Sequence, residues 1–503
     1  MPNKSLCILL LGLSLSFGDT KAQKVSHDQN AATQAPRQRA IPRQRVKFMP
    51  QRKATSPLPP SVDNSASIYF PPVINQIGGS CAQAASIGYL FTYEMNRLLN
   101  RNAKTSADNR FSYLFAWNML NEGEDQGGFA SEGLFLAKQY GMMTQKDYGN
   151  SGNYQFRWAS GYDKYLNAMR YRVESILVYD DSIPLMKRYL YDAGNGSGTG
   201  GIMVFSGMAG SWTINDKYDG PSRTGYHSLL THLATDGSHA MSIVGYDDLV
   251  TYVDDKGTEH KGAFIVVNSW GAFTHDNGRF YLPYDFFKDP SVGNAQLSNQ
   301  VEGVVVSTYT PQVVCKLTID YSSRNDLSFG VGYSENADAT LPGQFYYSAA
   351  FDHQGGDYPM QGQYLEGTIE LALDITAHLD TPHGPVEAKR YFLNVVRGFR
   401  GKKKGEGKLL SLSVLDYRGK EPVEYKCRSR LPATLADGDN VFLVDVAKPL
   451  RLSVSPFRYT DDAGNATGET FMIRTAEGYH AKMKLSNLDS DHQQISIRYQ
   501  VKE

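Results

Sequence analysis

The sequence predicts an α+β unit followed by an all-β unit. Three observations carry that expectation. A tight turn at Gly78-Gly79 runs into apolar residues at helical spacing, Ala84, Ile87, Phe91, Met95 and Leu98. Two short, strongly apolar runs then read as strands, Ala240 to Val244 and Ala263 to Val267. From about Pro311 the hydrophobic period switches to two and stays there.

Composition bounds the function classes. The chain has 503 residues and a formal net charge of −1, so no global field points to nucleic acid or an anionic surface. Hydrophobic residues make up 41 % and charged residues 20 %, too apolar for wholesale disorder. Four cysteines are too few for a disulfide scaffold, and no internal run reaches the ~18 apolar residues of a membrane span.

Residues 1–23 read as a secretory signal. Lys4 supplies the charge, Leu6 to Phe17 the short apolar core, and Ala22-Gln23 the cleavage region. Cys7 lies inside that core and not after it, which predicts a secreted or periplasmic protein without a lipid anchor. Residues 24–66 read as a basic linker or pro-segment. Between Lys24 and Lys53 eight Lys and Arg face one acid, Asp28, with no hydrophobic period and no interleaved aromatics.

Residues 67–310 carry the chemistry. Cys81 directly follows Gly78-Gly79-Ser80 and opens the predicted helix, where first-turn N–H groups and the helix dipole favour a thiolate. Gln76, just upstream of the turn, can aim its amide N–H at the same point as an oxyanion donor. A thiol nucleophile needs a base, and the base needs an orienting group. His239 heads one apolar strand and Asn268 ends the other, so pairing of the strands sets them side by side. Asn268 then fixes the ring, and Trp270 shields the bond from water.

These residues resemble the papain-like cysteine peptidases. The resembling elements are Gln76, a glycine-rich turn, Cys81 and a helix; then His239-Ala240 before an apolar strand ending Val244-Gly245-Tyr246; then Asn268-Ser269-Trp270-Gly271. Between them, Gly127-Gly128 and the helix pattern that follows are similar to the family's Gly-Gly loop. Asp276-Asn277-Gly278 is similar to its late hairpin. The resemblance implies a two-lobed peptidase fold and a Cys81, His239 and Asn268 triad with Gln76 at the oxyanion. It also implies peptide substrates contacted by Gly127, Gly128 and Trp270, and no cofactor or metal. The chain departs from the pattern in three ways. The turn before Cys81 is one residue shorter, Ala82 replaces a tryptophan, and the usual disulfide between this turn and the Gly-Gly loop is missing, with Asp125 at one of its positions.

The residues speak against other site chemistries. His227, His232 and His239 lack zinc-site spacing. The run Gly194 to Gly201 lacks the Gly-Lys-Ser/Thr ending of a phosphate loop and leads into a strand. Asp247 to Gly262 reads as a polar surface hairpin. A catalytically inactive binding protein on the same scaffold and an acyltransferase with the same triad are the rival functions.

Residues 311–503 predict a β-sandwich accessory domain, or two small β domains. Cys315, Leu317, Ile319 and Tyr321 alternate with polar residues, as do Ile369 to Ile375 and Ile495 to Val501. Cys315 and Cys427 are a candidate disulfide. The basic run Arg397 to Lys408 reads as a solvated hairpin tip, and Asp461 to Asn465 as a turn.

Overall fold

The computed structural model describes residues 57–149, 156–179, 182–194, 198–254, 256–288, 301–352, 355–381, 384–398 and 404–446, with strand backbones at 44–45, 453–460, 466–474 and 480–484. The signal segment, most of the basic lead, the Asp461–Asn465 turn and the run from Ile495 lie outside the described residues. Among the described residues no helix is long and apolar enough to cross a membrane.

The molecule is mixed α+β. Near its start, three consecutive helical segments, Cys81–Gln83, Ala84–Phe91 and Thr92–Leu99, form one rod. Its middle segment takes the wide π turn, with Thr92 N–H donating five residues back to the Ile87 carbonyl. Every residue from Cys81 to Asn96 is buried, so the rod is a core element and not an amphipathic surface helix. Helices Tyr113–Leu120 and Ala130–Gln139 pack against it.

The rod's other side meets a ten-stranded sheet. Its central strands are Met203–Met208, Ser238–Val253, Glu259–Val267 and Arg279–Pro283, in that spatial order and antiparallel. The inner stretch of each is dry, which is why these runs read as continuous hydrophobic sequence. Asp247 to Gly262 does form the turn end of a hairpin, but Asp247 itself is buried. Its carboxylate accepts from the backbone N–H groups of Arg223 (2.6 Å) and Thr224 (2.9 Å), pinning that loop.

The stretch read as a linker enters this sheet. Ser61–Asp63 pairs antiparallel with Gly245 to Asp247, and Gln44–Arg45 pairs with Leu177 and Val178 at the sheet's outer edge.

Past residue 310 the described residues form two larger antiparallel sheets, beside a two-stranded pairing of Asp380–Thr381 with Gly384–Pro385 and a three-stranded sheet of Ser453–Thr460, Ala466–Arg474 and His480–Lys484. Of the larger two, one has the order Thr368–Asp374, Val313–Tyr321, Gly407–Asp416, Val423–Lys426; the other Tyr346–Tyr347, Leu327–Ser334, Arg390–Arg397, Gly438–Asp445. The expected alternation is present: Cys315, Leu317, Ile319 and Tyr321 are buried while Asp320 is exposed. The basic run is not a hairpin tip. Arg390–Arg397 and Gly407–Asp416 belong to different sheets, and residues 399–403 of the run lie outside the described residues. Arg397 donates to the Leu435 and Gly405 carbonyls, and Lys404 pairs with Asp437 at 2.6 Å. Cys315 and Cys427 are free thiols.

The helical and C-terminal units share one core. Phe351 sits edge-on to Tyr140 (5.4 Å), Trp158 (5.6 Å) and Tyr165 (5.7 Å). Tyr140 donates its hydroxyl to the Ala372 carbonyl, and Arg172 pairs with Asp374 at 3.0 Å between largely buried side chains.

Candidate active site

Strand pairing sets up one half of the site. Ser242 pairs with Val267 in the antiparallel ladder. That is the ladder's last rung: Asn268 leaves its strand one residue beyond it, while Trp270, further on, bridges to Asn75. Just past that rung histidine, asparagine and tryptophan converge. His239 Nε2 lies 2.8 Å from Asn268 Oδ1, and the imidazole stacks on Trp270 with centroids 4.6 Å apart at 27°. Both His239 and Asn268 are buried.

This bond selects the tautomer. An amide oxygen can only accept, so Nε2 carries the proton and Nδ1 keeps a lone pair. Burial pushes the imidazole pKa down to about 4, with the Asn268 bond opposing. Desolvation therefore favours the neutral ring. The thiolate–imidazolium pair that a helix N-terminus suggests is opposed by the dryness of the histidine's surroundings.

Asn268 is held from several sides. Its Oδ1 also accepts from Ser269 N–H at 2.7 Å, its backbone N–H donates to the Gly278 carbonyl, and its own carbonyl accepts from the Tyr89 hydroxyl at 3.0 Å. Its Nδ2 is buried without a partner, a desolvation cost of about 1–3 kcal/mol that the fold carries here.

The other half is the turn before Cys81. Cys81 is buried to 8 % exposure at the first position of its helix, and that segment packs against the strand bearing His239. Gly78 adopts φ +53°, which glycine takes without strain. A side chain on Gly79 would meet the backbone of Gln126 at 2.6 Å and of Gly127 at 2.8 Å. The turn thus presses directly on the Gly127-Gly128 loop. Where the disulfide is missing, the Asp125 carboxylate accepts from Gly79 N–H at 2.7 Å.

Gln76 joins the halves. Its backbone N–H donates to the Ser269 carbonyl at 2.7 Å, and its side-chain oxygen accepts from the Ser269 hydroxyl at 2.5 Å. One amide N–H donates to the Gly78 carbonyl at 3.0 Å, so the amide is turned onto its own loop. Gly127 and Gly128 are exposed, just before helix Ala130–Gln139.

Sequence reading missed Trp212. It lies on the connection between strands Met203–Met208 and Thr213–Asn215, half-buried. Its ring meets Trp270 at 5.3 Å and His239 edge-on at 6.3 Å. The only sequence signal was a tryptophan in an otherwise small-residue loop, Ala209-Gly-Ser-Trp212. Among the described residues no group of three or more His, Cys, Asp or Glu is arranged to hold a metal ion.

No family model matches the chain, and no curated protein matches it. Solved structures do. Xylellain, a cysteine protease from Xylella fastidiosa, aligns at 19 % identity over 52 % of this chain and 90 % of its own, with TM-score 0.35. The proCathepsin B S9 of Trypanosoma congolense aligns at 16 % over 54 % and 84 %, TM-score 0.36. Procathepsin L 3 of Tenebrio molitor larval midgut aligns at 19 % over 51 % and 73 %, TM-score 0.32. At these identities and scores it falls to the site residues themselves to carry the chemistry.

Proposed function

We propose that this chain is an exported cysteine endopeptidase of the papain-like type, with a C-terminal β-sandwich and no cofactor. The observation that carries the reading is the buried His239–Asn268 pair under Trp270, on a strand packed against the helix that Cys81 opens. A histidine oriented in one tautomer and shielded from water by a tryptophan supports a general-base role.

The mechanism follows from the tautomer. His239 Nδ1 takes the Cys81 proton as the sulfur attacks the scissile carbonyl carbon. The carbonyl π electrons move to oxygen, and the oxyanion is met by the Cys81 backbone N–H and by the second N–H of the Gln76 amide, the one not given to the Gly78 carbonyl. As the tetrahedral intermediate collapses, the C–N bond breaks and the imidazolium returns its proton to the leaving amine. Water, deprotonated by His239, then cleaves the thioester. Desolvation makes the imidazolium costly, so it exists only while sulfur or oxyanion charge is present to balance it. Gly127 and Gly128, exposed beside the nucleophile turn, offer backbone groups to an extended peptide.

The test is an epoxysuccinyl inhibitor on the full chain, with the adduct mapped by mass spectrometry. One adduct on Cys81, absent in Cys81→Ala and strongly slowed in His239→Ala, is expected. A folded protein that stays unlabelled overturns the reading in favour of an inactive binding scaffold.

A further inference from the structure

We infer that the C-terminal β unit is a working part of this site: its turn Gly355 to Tyr358 positions the nucleophile turn through the loop Asn121 to Gly128, with Tyr358 and Asp125 as the positioning residues. This rests on the peptidase reading for its consequence, although the linkage itself is structural.

The chain of contacts begins at Arg324. This side chain is fully buried. It donates to the carbonyls of Gly355 (2.7 Å), Met360 (3.3 Å) and Phe156, while its guanidinium lies over Trp158 at 4.4 Å. Its backbone N–H donates to the Tyr358 carbonyl at 2.9 Å. The 355–358 turn is therefore fixed from inside the β unit. Tyr358 then stacks on Phe156 (5.5 Å, 5°) and donates its hydroxyl to the Gly123 carbonyl at 2.8 Å.

Gly123 and Gly356 touch backbone to backbone. Each has positive φ, and a Cβ on either would lie 2.6 Å from the other's Cα. From Gly123 the loop is tied tightly. Gly123 N–H donates to Asn121 Oδ1, Gln126 Nε2 to the Asn121 carbonyl, and Trp117 Nε1 to the Gln126 carbonyl. Trp158 holds the helix end from the same side, donating to the Asn118 carbonyl at 2.9 Å. The loop then meets the nucleophile turn at Asp125 and at the Gln126–Gly127 backbone, as described above. Cys81 follows Gly79 with only Ser80 between them. No covalent bridge ties turn to loop, so the position of this loop is set by what lies behind it.

The test uses the full chain and reads two things. The first is the second-order rate of Cys81 alkylation by iodoacetamide. The second is hydrogen exchange of residues 77–83, with the unfolding midpoint as a control on global stability. Asp125→Ala should slow alkylation about tenfold, while Asp125→Asn, which keeps an acceptor for Gly79 N–H, should restore it. Tyr358→Phe keeps the ring and loses only the hydroxyl. It should slow alkylation about threefold and speed exchange at 77–83 with little change in midpoint, while Tyr364→Phe, an exposed tyrosine nearby, does neither. Because the two act in series, the double variant should be within about twofold of Asp125→Ala alone.

The inference is overturned if Tyr358→Phe leaves both alkylation and exchange at 77–83 unchanged, or if Asp125→Asn is as slow as Asp125→Ala. Failure of the peptidase reading looks different: wild-type Cys81 would react no faster than the unfolded chain's thiol, while the exchange measurement would still report the linkage.

Discussion

The two halves of the site are held by different physics. His239 lies on a strand of a dry sheet, and Asn268 and Trp270 follow directly from the end of its neighbour, so slipping that ladder by one residue would part them. Cys81 opens a buried helix packed on the same sheet, and the glycine turn before it leans on another loop through one exposed hydrogen bond and a backbone-to-backbone contact. The first half is rigid because of what surrounds it locally. The second depends on a partner loop and, behind that, on the C-terminal unit. The His239 cluster therefore comes with the sheet alone, whereas the turn before Cys81 also leans on a loop outside it.

Breaking the support behind the helical half has the largest expected effect. Phe351→Ala empties the space between Tyr140, Trp158 and Tyr165 and should cost about 3–5 kcal/mol of stability. Hydrogen exchange should show helix Ala130–Gln139 opening first, with strand Ser238–Val253 still protected. Equal opening of both would erase the contrast between the halves.

On the sheet side, the contrast is read by pH. The folded pKa of His239 is about 4 and the unfolded value about 6.5, so the unfolded chain binds more protons between them. The contribution to stability is full above pH 6.5 and is lost as pH falls toward 4, by about 3 kcal/mol in total. Urea titrations of wild type and His239→Ala across pH 4–7 should show this slope only in wild type. The acid limb of activity should fall near pH 4 and not near 6.5.

Gln76 touches both halves, so it sharpens the comparison. Gln76→Ala removes the amide proposed to meet the oxyanion together with the Ser269 contact, and on that proposal kcat should fall about 100-fold with a smaller change in KM. A change confined to KM would mean that Gln76 only staples the halves together. The smallest effect belongs to Trp212→Ala. It removes a ring near His239 without removing Trp270, and a loss of roughly tenfold or less in kcat/KM is expected, with faster solvent exchange of the Nε2 proton seen by NMR.

What was legible in the sequence follows the same division. The pieces of the sheet-side cluster, His239 and Asn268 to Trp270, stand within short motifs on apolar strands, so pattern alone suggested their pairing. The alternating runs from Val313 and Thr368 were readable because one face is dry and the other wet. Asp125, Tyr358 and Arg324 were not readable as a set. Tyr358 reaches Gly123 across 235 positions of sequence, and nothing in either local pattern names the other. The basic run before Gly407 was misread because charge and turn residues look the same in a hairpin and between strands of different sheets. Asp247 was misread as surface because its partners are backbone N–H groups of a distant loop.

The wide turn in the rod behind Cys81 has a consequence for the chain as a mechanical object. Its front end is keyed to the nucleophile turn. Its rear end is keyed elsewhere: the Tyr93 hydroxyl donates to the Gly200 carbonyl at 2.9 Å, and Glu94 accepts from Ile202 N–H at 3.1 Å. A π turn holds one residue more than an α turn, so Ala84–Phe91 acts as a gear between two fixed phases. Deleting one residue there would let the helix close to α and rotate one end against the other by about 100°. Either Cys81 or the Tyr93–Glu94 anchor would then face the wrong way, although not a single functional side chain had been removed.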